Sequence, residues 1–410
     1  MAYVPVAFIL AGMAAYTLLA GADFGAGLWM LLATGPDASR TRAEARHAMG
    51  PVWEANHVWL IFVLVVCWTA YPVAFGSIAS TLAIPLTAAA VGIIFRGAAY
   101  ALRGQGTSRA AETVMALSSV LTPFSLGTVV GAIATGRVPV GNAAGNVVTS
   151  WLNVPSVLIG AVAVAFSGYL AAVYLAADSV RGADPGLTRA FRARALIAGV
   201  VAGGVALAGL LVMRHSGLDL TGGLALVMVC LSAAAGLTTM ALCWVSRFQL
   251  ARLSAALAVA AVVAGWAAAQ APRMLPGMTV TQAAAGRATL IALVIAVACG
   301  AAVLIPSLAL LYTLFLRGRL DDPEAAEAPV SVAADPAAVR DSAAARTPET
   351  PADTPRRPPL VAVAVAVVGL LAGTGLLVFT DPVWLHGIGV ACLIASGVST
   401  LTIPNNGDGE

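Results

Sequence analysis

From Val157 to Leu175 the chain passes nineteen residues without one charged side chain, and runs of this kind recur along its length. A helix needs roughly 20 mostly apolar residues to cross the hydrocarbon of a bilayer. Such runs are too long and too continuously apolar for the short alternating strands of a membrane barrel. The bilayer offers backbone groups no hydrogen-bond partner, so a spanning segment is a helix or part of a closed barrel. Helices remain. The composition agrees: 60% of the 410 residues are hydrophobic and 10% are charged, where a soluble domain carries about 25% charged residues. The expected fold class is an all-α polytopic membrane protein.

Nine apolar windows mark the expected spans, at about 4–33, 53–70, 74–101, 113–135, 153–177, 193–213, 222–245, 250–268 and 286–316. Tyr71-Pro72 separates the second from the third; Gly136, Pro139, Gly141 and Asn142 mark one loop, and Asp184-Pro185-Gly186 another. The N-terminal run lacks a basic leader and continues past Asp23 to about Leu32, so it reads as a first membrane helix rather than a cleaved signal. Residues 321–358 are rich in Ala, Pro, Asp, Thr and Arg without apolar periodicity, and are expected to be a disordered linker. Two span-length runs follow, about 360–379 and 383–402, split by Asp381-Pro382. The expected organisation is a nine-helix membrane domain over 1–320, the linker over 321–358, and a C-terminal helical hairpin over 359–410. No internal repeat stands out, so the inverted-repeat pattern of many transporters has no support.

All 22 basic residues are arginine, and the net charge of +3 is too small to suggest nucleic acid. Their placement is informative. The loops after the odd-numbered spans hold Arg40, Arg42 and Arg46; Arg103 and Arg109; Arg181, Arg189, Arg192 and Arg194; Arg247 and Arg252; and Arg317 and Arg319. The alternate loops hold only Arg137, Arg214, Arg273 and Arg287. An excess of cations marks the cytoplasmic side. The N-terminus is therefore expected outside, the end of the ninth span inside, and the C-terminus cytoplasmic. The five cysteines, Cys67, Cys230, Cys243, Cys299 and Cys392, lie in apolar runs without ligand spacing and read as packing residues.

Ionisable groups inside spans are costly and tend to mark function. Three stand out: Asp23 in the first span, Glu54 in the second and Arg96 in the third, with His57 on the same helical face as Glu54. At about 1.5 Å per residue, Asp23 lies roughly 15 Å from the cytoplasmic end, Glu54 about 5 Å, and His57 and Arg96 about 10 Å. All four can meet in one polar cluster in the cytoplasmic half. Gly21 and Gly25 would let another helix approach at that level. A plainer account has Arg96 only neutralising an acid for insertion, Glu54 reaching interfacial water, and His57 serving as a hydrogen-bonded core residue rather than a proton relay. His47, His215 and His386 offer no pairing that would hold one heme between facing helices. No catalytic, cofactor-binding or metal-binding residue is expected.

The run Gly21-Ala22-Asp23-Phe24-Gly25-Ala26-Gly27 resembles the first-helix signature of cytochrome bd oxidase subunit II. Val52-Trp53-Glu54-Ala55-Asn56-His57-Val58-Trp59-Leu60-Ile61 resembles that family's second-helix motif, and Phe95-Arg96-Gly97 its third. Thr122-Pro123-Phe124 with Gly127, Gly131, Gly136 and Pro139 is similar to the fourth helix and its exit, and Pro306 with Leu311-Tyr312-Thr313 to the ninth. The likeness covers about residues 1–320. It implies a heme-free subunit in a bacterial plasma-membrane complex that oxidises quinol and reduces oxygen to water. A partner, subunit I, would carry heme b, heme d and the quinol site; in some relatives a small single-helix subunit joins them. This chain would take up protons from the cytoplasm through Asp23, Glu54, His57 and Arg96. Glu54 keeps the acid of the family pattern, where one version of the motif has Asp, and His57 stands at its variable position, where that version has an amide residue. The rival reading is a secondary transporter with Asp23, Glu54 and Arg96 as its coupling site.

Overall fold

The computed structural model describes residues 1–316 apart from 36–37, 49–52, 102–108, 183, 217 and 219. The expected linker and hairpin, residues 321–410, lie outside the described residues.

Each of the nine apolar windows falls on helix, as the fold class requires. The order is α1 (Val4–Leu31), α2 (Ala38–Ala48), α3 (Trp53–Ala70), α4 (Pro72–Thr81), α5 (Ala83–Ala101), α6 (Arg109–Ala134), α7 (Val154–Arg181), α8 (Pro185–His215), α9 (Gly223–Trp244), α10 (Phe248–Gln270), a two-stranded ribbon of β1 (Arg273–Leu275) and β2 (Met278–Thr279), α11 (Val280–Ala283) and α12 (Arg287–Leu316). Among the described residues seven helices are long and apolar enough to cross a bilayer, and the bent pair α4–α5 makes an eighth if it is counted as one span.

That bend corrects the third window, which is not one rod. α4 and α5 meet at 83° around Leu82. Pro85 gives the reason. It has no N–H for the carbonyl of Thr81, and its ring crowds that carbonyl, so the helix breaks there. At the other end of α4, Pro72 forces Tyr71 out of the helical region, to φ −137° and ψ 61°, which ends α3. Two further starts are written in the sequence. The Asn153 side chain accepts from the Ser156 N–H at 3.1 Å to cap α7, and Asp184 accepts from the Leu187 N–H at 3.0 Å to cap α8. α8 thus begins earlier than its apolar window, and Arg189, Arg192 and Arg194 lie within its first turns rather than in a loop. The loop containing His47 is likewise largely the helix α2.

α7 is the central post. Tyr169–Ala177 is buried except for the partly buried Tyr174, packed by α1, α8 and α10. This is why Val157–Leu175 is apolar on every side. The opposite surfaces of α8 and α9 expose Ile197, Val200, Leu207, Leu224, Val227 and Leu237, apolar groups that lipid rather than water would cover. Crossing helices approach through glycine: a Cβ on Gly127 would sit 2.7 Å from Gly160 Cα, and one on Gly131 2.6 Å from Ser156 Cα, so α6 and α7 touch at backbone.

The two ends of the bundle are tied by different chemistry. At one, Arg40 pairs with Asp184, Arg194 donates to Thr41 Oγ1 at 3.1 Å, and Arg252 meets Asp178 at 2.5 Å. At the other, the N–H groups of Gly141 and Ala143 donate to Ser77 and Ser80 hydroxyls at 2.9 and 2.8 Å, and the Ala285 N–H to the Ala70 carbonyl at 2.8 Å.

Candidate functional site

Arg96 of α5 is fully buried, the largest side chain to be so among the described residues. Its Nε donates to Asp23 Oδ2 at 3.0 Å, and its Nη2 lies 2.9 Å from Asp23 Oδ1, so α5 grips the α1 carboxylate with a two-pronged fork. Nη2 also donates to the backbone carbonyl of Asp23 at 2.8 Å, and Nη1 to Ser119 Oγ of α6 at 2.7 Å. Ser119 passes its own proton to the Met115 carbonyl at 2.7 Å. The guanidinium carbon stands 5.0 Å from the centre of the Phe24 ring, a cation–π contact. One cation therefore ties α1, α5 and α6 together inside the bilayer.

The backbone makes room for it. A Cβ on Gly27 would fall 1.9 Å from Ser119 Oγ and 3.2 Å from Arg96 Nη1, so only glycine leaves space for that hydrogen bond. Gly25 would meet the Ser167 carbonyl oxygen at 1.8 Å, placing α1 directly on α7. Gly21 does not share this role: its Cβ would make ordinary contact, 3.5 Å from Leu170 Cδ1. The close approach at this level belongs to Gly25 and Gly27 rather than to Gly21 and Gly25. In α6, Pro123 cannot donate to the carbonyl of Ser119, which loosens the helix where the serine serves Arg96.

Of the four residues singled out in the sequence, Asp23 and Arg96 are thus joined. His57 is half-buried on α3, its ring centre 5.9 Å from that of Tyr16 and 6.1 Å from that of Phe24. Phe24 lies between the histidine and the ion pair, touching both. Glu54 belongs to α3, one turn before His57, but its side chain lies outside the described residues. Sequence reasoning passed over three neighbours. Ser119 is one; Tyr16 and Asn56 are buried beside His57, and the Tyr16 hydroxyl and Asn56 Oδ1 have no hydrogen-bond partner among the described residues. Asn56 Nδ2 donates to the Leu19 carbonyl at 3.3 Å, which links α3 to α1. Ser119 had a signal: Ser118, Ser119, Thr122 and Ser125 form a hydroxyl stripe at helical spacing in an apolar segment.

The arginine-rich end is tied to the C-terminus of α1. Arg42 donates to the Met30 and Ala33 carbonyls at 3.4 and 3.0 Å, satisfying the C-terminus of α1 and folding α2 back onto it. Asp184 is held below the ordinary carboxylate range, first by the Leu187 N–H and then by Arg40.

Residues 1–315 match the family model of cytochrome bd terminal oxidase subunit II. The chain belongs to that family. It is therefore a membrane subunit of a terminal oxidase, an oxidoreductase at the level of the complex, and has a partner subunit there. A chain of a solved structure described as the structure of bd oxidase from Geobacillus thermodenitrificans is similar in fold, with a TM-score of 0.65 at 23% identity over 77% of this chain and 98% of that one. No curated protein matches the chain significantly.

Oxidases of the bd type are heme enzymes, and two of this chain's four histidines, His57 and His215, have described side chains. Axial ligation takes a side chain such as histidine directed at the iron. His57 is wedged between Tyr16 and Phe24, and exposed His215 places Nδ1 2.8 Å from the Leu211 carbonyl of its own helix. The side chain of His47 and the whole of His386 lie outside the described residues. No group of three or more His, Cys, Asp or Glu side chains gathers to hold a metal among the described residues.

Proposed function

We propose that this chain is the heme-free second subunit of a cytochrome bd-type quinol oxidase, and that it leads protons from the cytoplasm toward the oxygen-reducing site of its partner. In this reading subunit I carries heme b, heme d and the quinol site. The N-terminus lies outside, and the arginine-rich end faces the cytoplasm. Residues 1–320 form the membrane domain, 321–358 the linker, and 359–410 a hairpin in the place that a small single-helix subunit takes in some relatives.

The observation that carries the proposal is the buried Arg96–Asp23 pair, fixed by four polar contacts at the level of His57. Reducing oxygen to water consumes protons as well as electrons, and hydrocarbon does not conduct them. A path needs titratable carriers and a fixed field to orient them. The geometry of the ion pair supports a division of labour. Asp23 is gripped at both oxygens by Arg96, so the pair acts as the fixed element. Glu54 and His57, one turn apart on α3, are the carriers, with Glu54 nearer the cytoplasm. The buried Tyr16 hydroxyl and Asn56 amide supply polar groups that can hydrogen-bond water beyond His57.

Co-purification tests the assignment. The tagged chain is expected to bring down a heme-bearing partner with a heme d absorption band and quinol-driven oxygen uptake. A solitary chain that binds a small solute would favour the transporter instead.

A further inference from the structure

We propose that the cleft at the α9–α10 turn binds one anionic glycerophospholipid, its phosphate held by Arg192 and Arg247 and an acyl chain laid along α10. The cleft, roughly 290 Å³, opens between the end of α7 at Ala177 and Val180 and the first turn of α10. Arg247 lines it. Arg192 of α8 reaches it, its Nη1 3.5 Å from Ser246 Oγ and its guanidinium 5.4 Å from the centre of the Trp244 ring.

Charge is what sets this place apart. The neighbouring cations are already compensated: Arg252 and Arg181 pair with Asp178 at 2.5 and 3.0 Å. Arg192 and Arg247 meet no carboxylate among the described residues. Asp178, the acid nearest the cleft in sequence, is taken twice. Two such arginines at the end of a helix bundle suit a phosphate that a lipid brings with it. The turn adds to them. Ser246 adopts φ 59°, and the Ser246 and Arg247 N–H groups close α9 on Cys243 and Leu242 at 3.2 and 2.8 Å. The first turn of α10, Phe248 to Leu250, lines the cleft, and the N–H groups of a first helical turn have no partner within their own helix.

The rest of the lipid has a track. Trp244 is exposed at the end of α9, where an indole marks the headgroup level. Leu250 lines the cleft, and Leu253 and Leu257 continue from it at helical spacing, all three exposed. An apolar stripe thus runs from the two cations into the hydrocarbon, which a free phosphate would leave unused.

The test uses the complete oxidase complex, stripped of lipid in detergent and titrated with phosphatidylglycerol or phosphatidylcholine of equal chain length, with the first lipid adduct followed by native mass spectrometry. Phosphatidylglycerol is expected to bind at least tenfold more tightly than phosphatidylcholine. Arg192→Gln and Arg247→Gln are each expected to weaken it about fivefold, and the two lysine variants to keep it. Equal heme content in every variant shows that the complex is intact. Unchanged phosphatidylglycerol binding in the double glutamine variant, or equal binding of phosphatidylcholine, would overturn the proposal. Displacement of the lipid by millimolar inorganic phosphate would overturn it too, by showing a free-anion site.

Discussion

Replacing Asp23 by asparagine isolates the contribution of one charge. Asn keeps the shape of Asp and one acceptor oxygen, but it turns an NH2 group toward a guanidinium that can only donate. Arg96 is 0% exposed and the Asp23 side chain 5%, so solvent cannot replace the lost carboxylate. Removing one partner of a buried pair costs about 3–5 kcal/mol. Arg96 keeps the Asp23 carbonyl, Ser119 and the Phe24 ring, which places the expectation at the lower end, about 3 kcal/mol. Arg96→Gln leaves the opposite charge stranded and should cost a similar amount. The double variant carries neither charge and should cost clearly less than the sum of the two. Unfolding of the assembled complex in mixed micelles, titrated with denaturing detergent, measures all three. An Asp23→Asn complex within about 1 kcal/mol of wild type, or strict additivity in the cycle, would show that the pair is not the tie described here.

Gly25→Ala should destabilise the complex by about 3 kcal/mol, because its Cβ would lie 1.8 Å from the Ser167 carbonyl, whereas Gly21→Ala, at 3.5 Å from Leu170, should change little; equal thermal midpoints for the two would refute the crossing. Asp184 is held below its ordinary value of 3.8, so its link to Arg40 strengthens the fold above that pH and is lost as pH falls through the lowered value. Hydrogen exchange in α2 should therefore rise at strongly acidic pH in wild type, and Asp184→Asn, which can still cap α8, should remove that dependence. Truncation after Leu320 should weaken the assembled complex; full stability and activity without residues 321–410 would show that the extension is dispensable.

Much of this was legible in the sequence, for physical reasons. Lipid demands long apolar runs, so every window fell on a helix. Buried charge is expensive enough that Asp23, Glu54 and Arg96 stand out from the sequence as partners for one another, and in the structure a fork joins Arg96 to Asp23. Local chemistry was harder to weigh. Pro85 was visible, yet apolarity alone ran through it, and the break at Leu82 was not foreseen. α2 was missed because it is short and charged, and its fold depends on Arg42 finding the end of α1. Gly21 and Gly25 looked equivalent at a spacing of four. Which one touches a neighbour depends on where α7 crosses, and that is a tertiary fact.

Oxygen uptake by the assembled Glu54→Gln complex, measured across pH with quinol in excess, tests the proton path most directly. Gln keeps the size of the side chain and removes its ability to carry a proton. The path predicts slowed turnover with unchanged heme content in the partner, and substantial recovery in Glu54→Asp. Wild-type rates at every pH, with normal heme content, would mean that protons reach the oxygen site without Glu54.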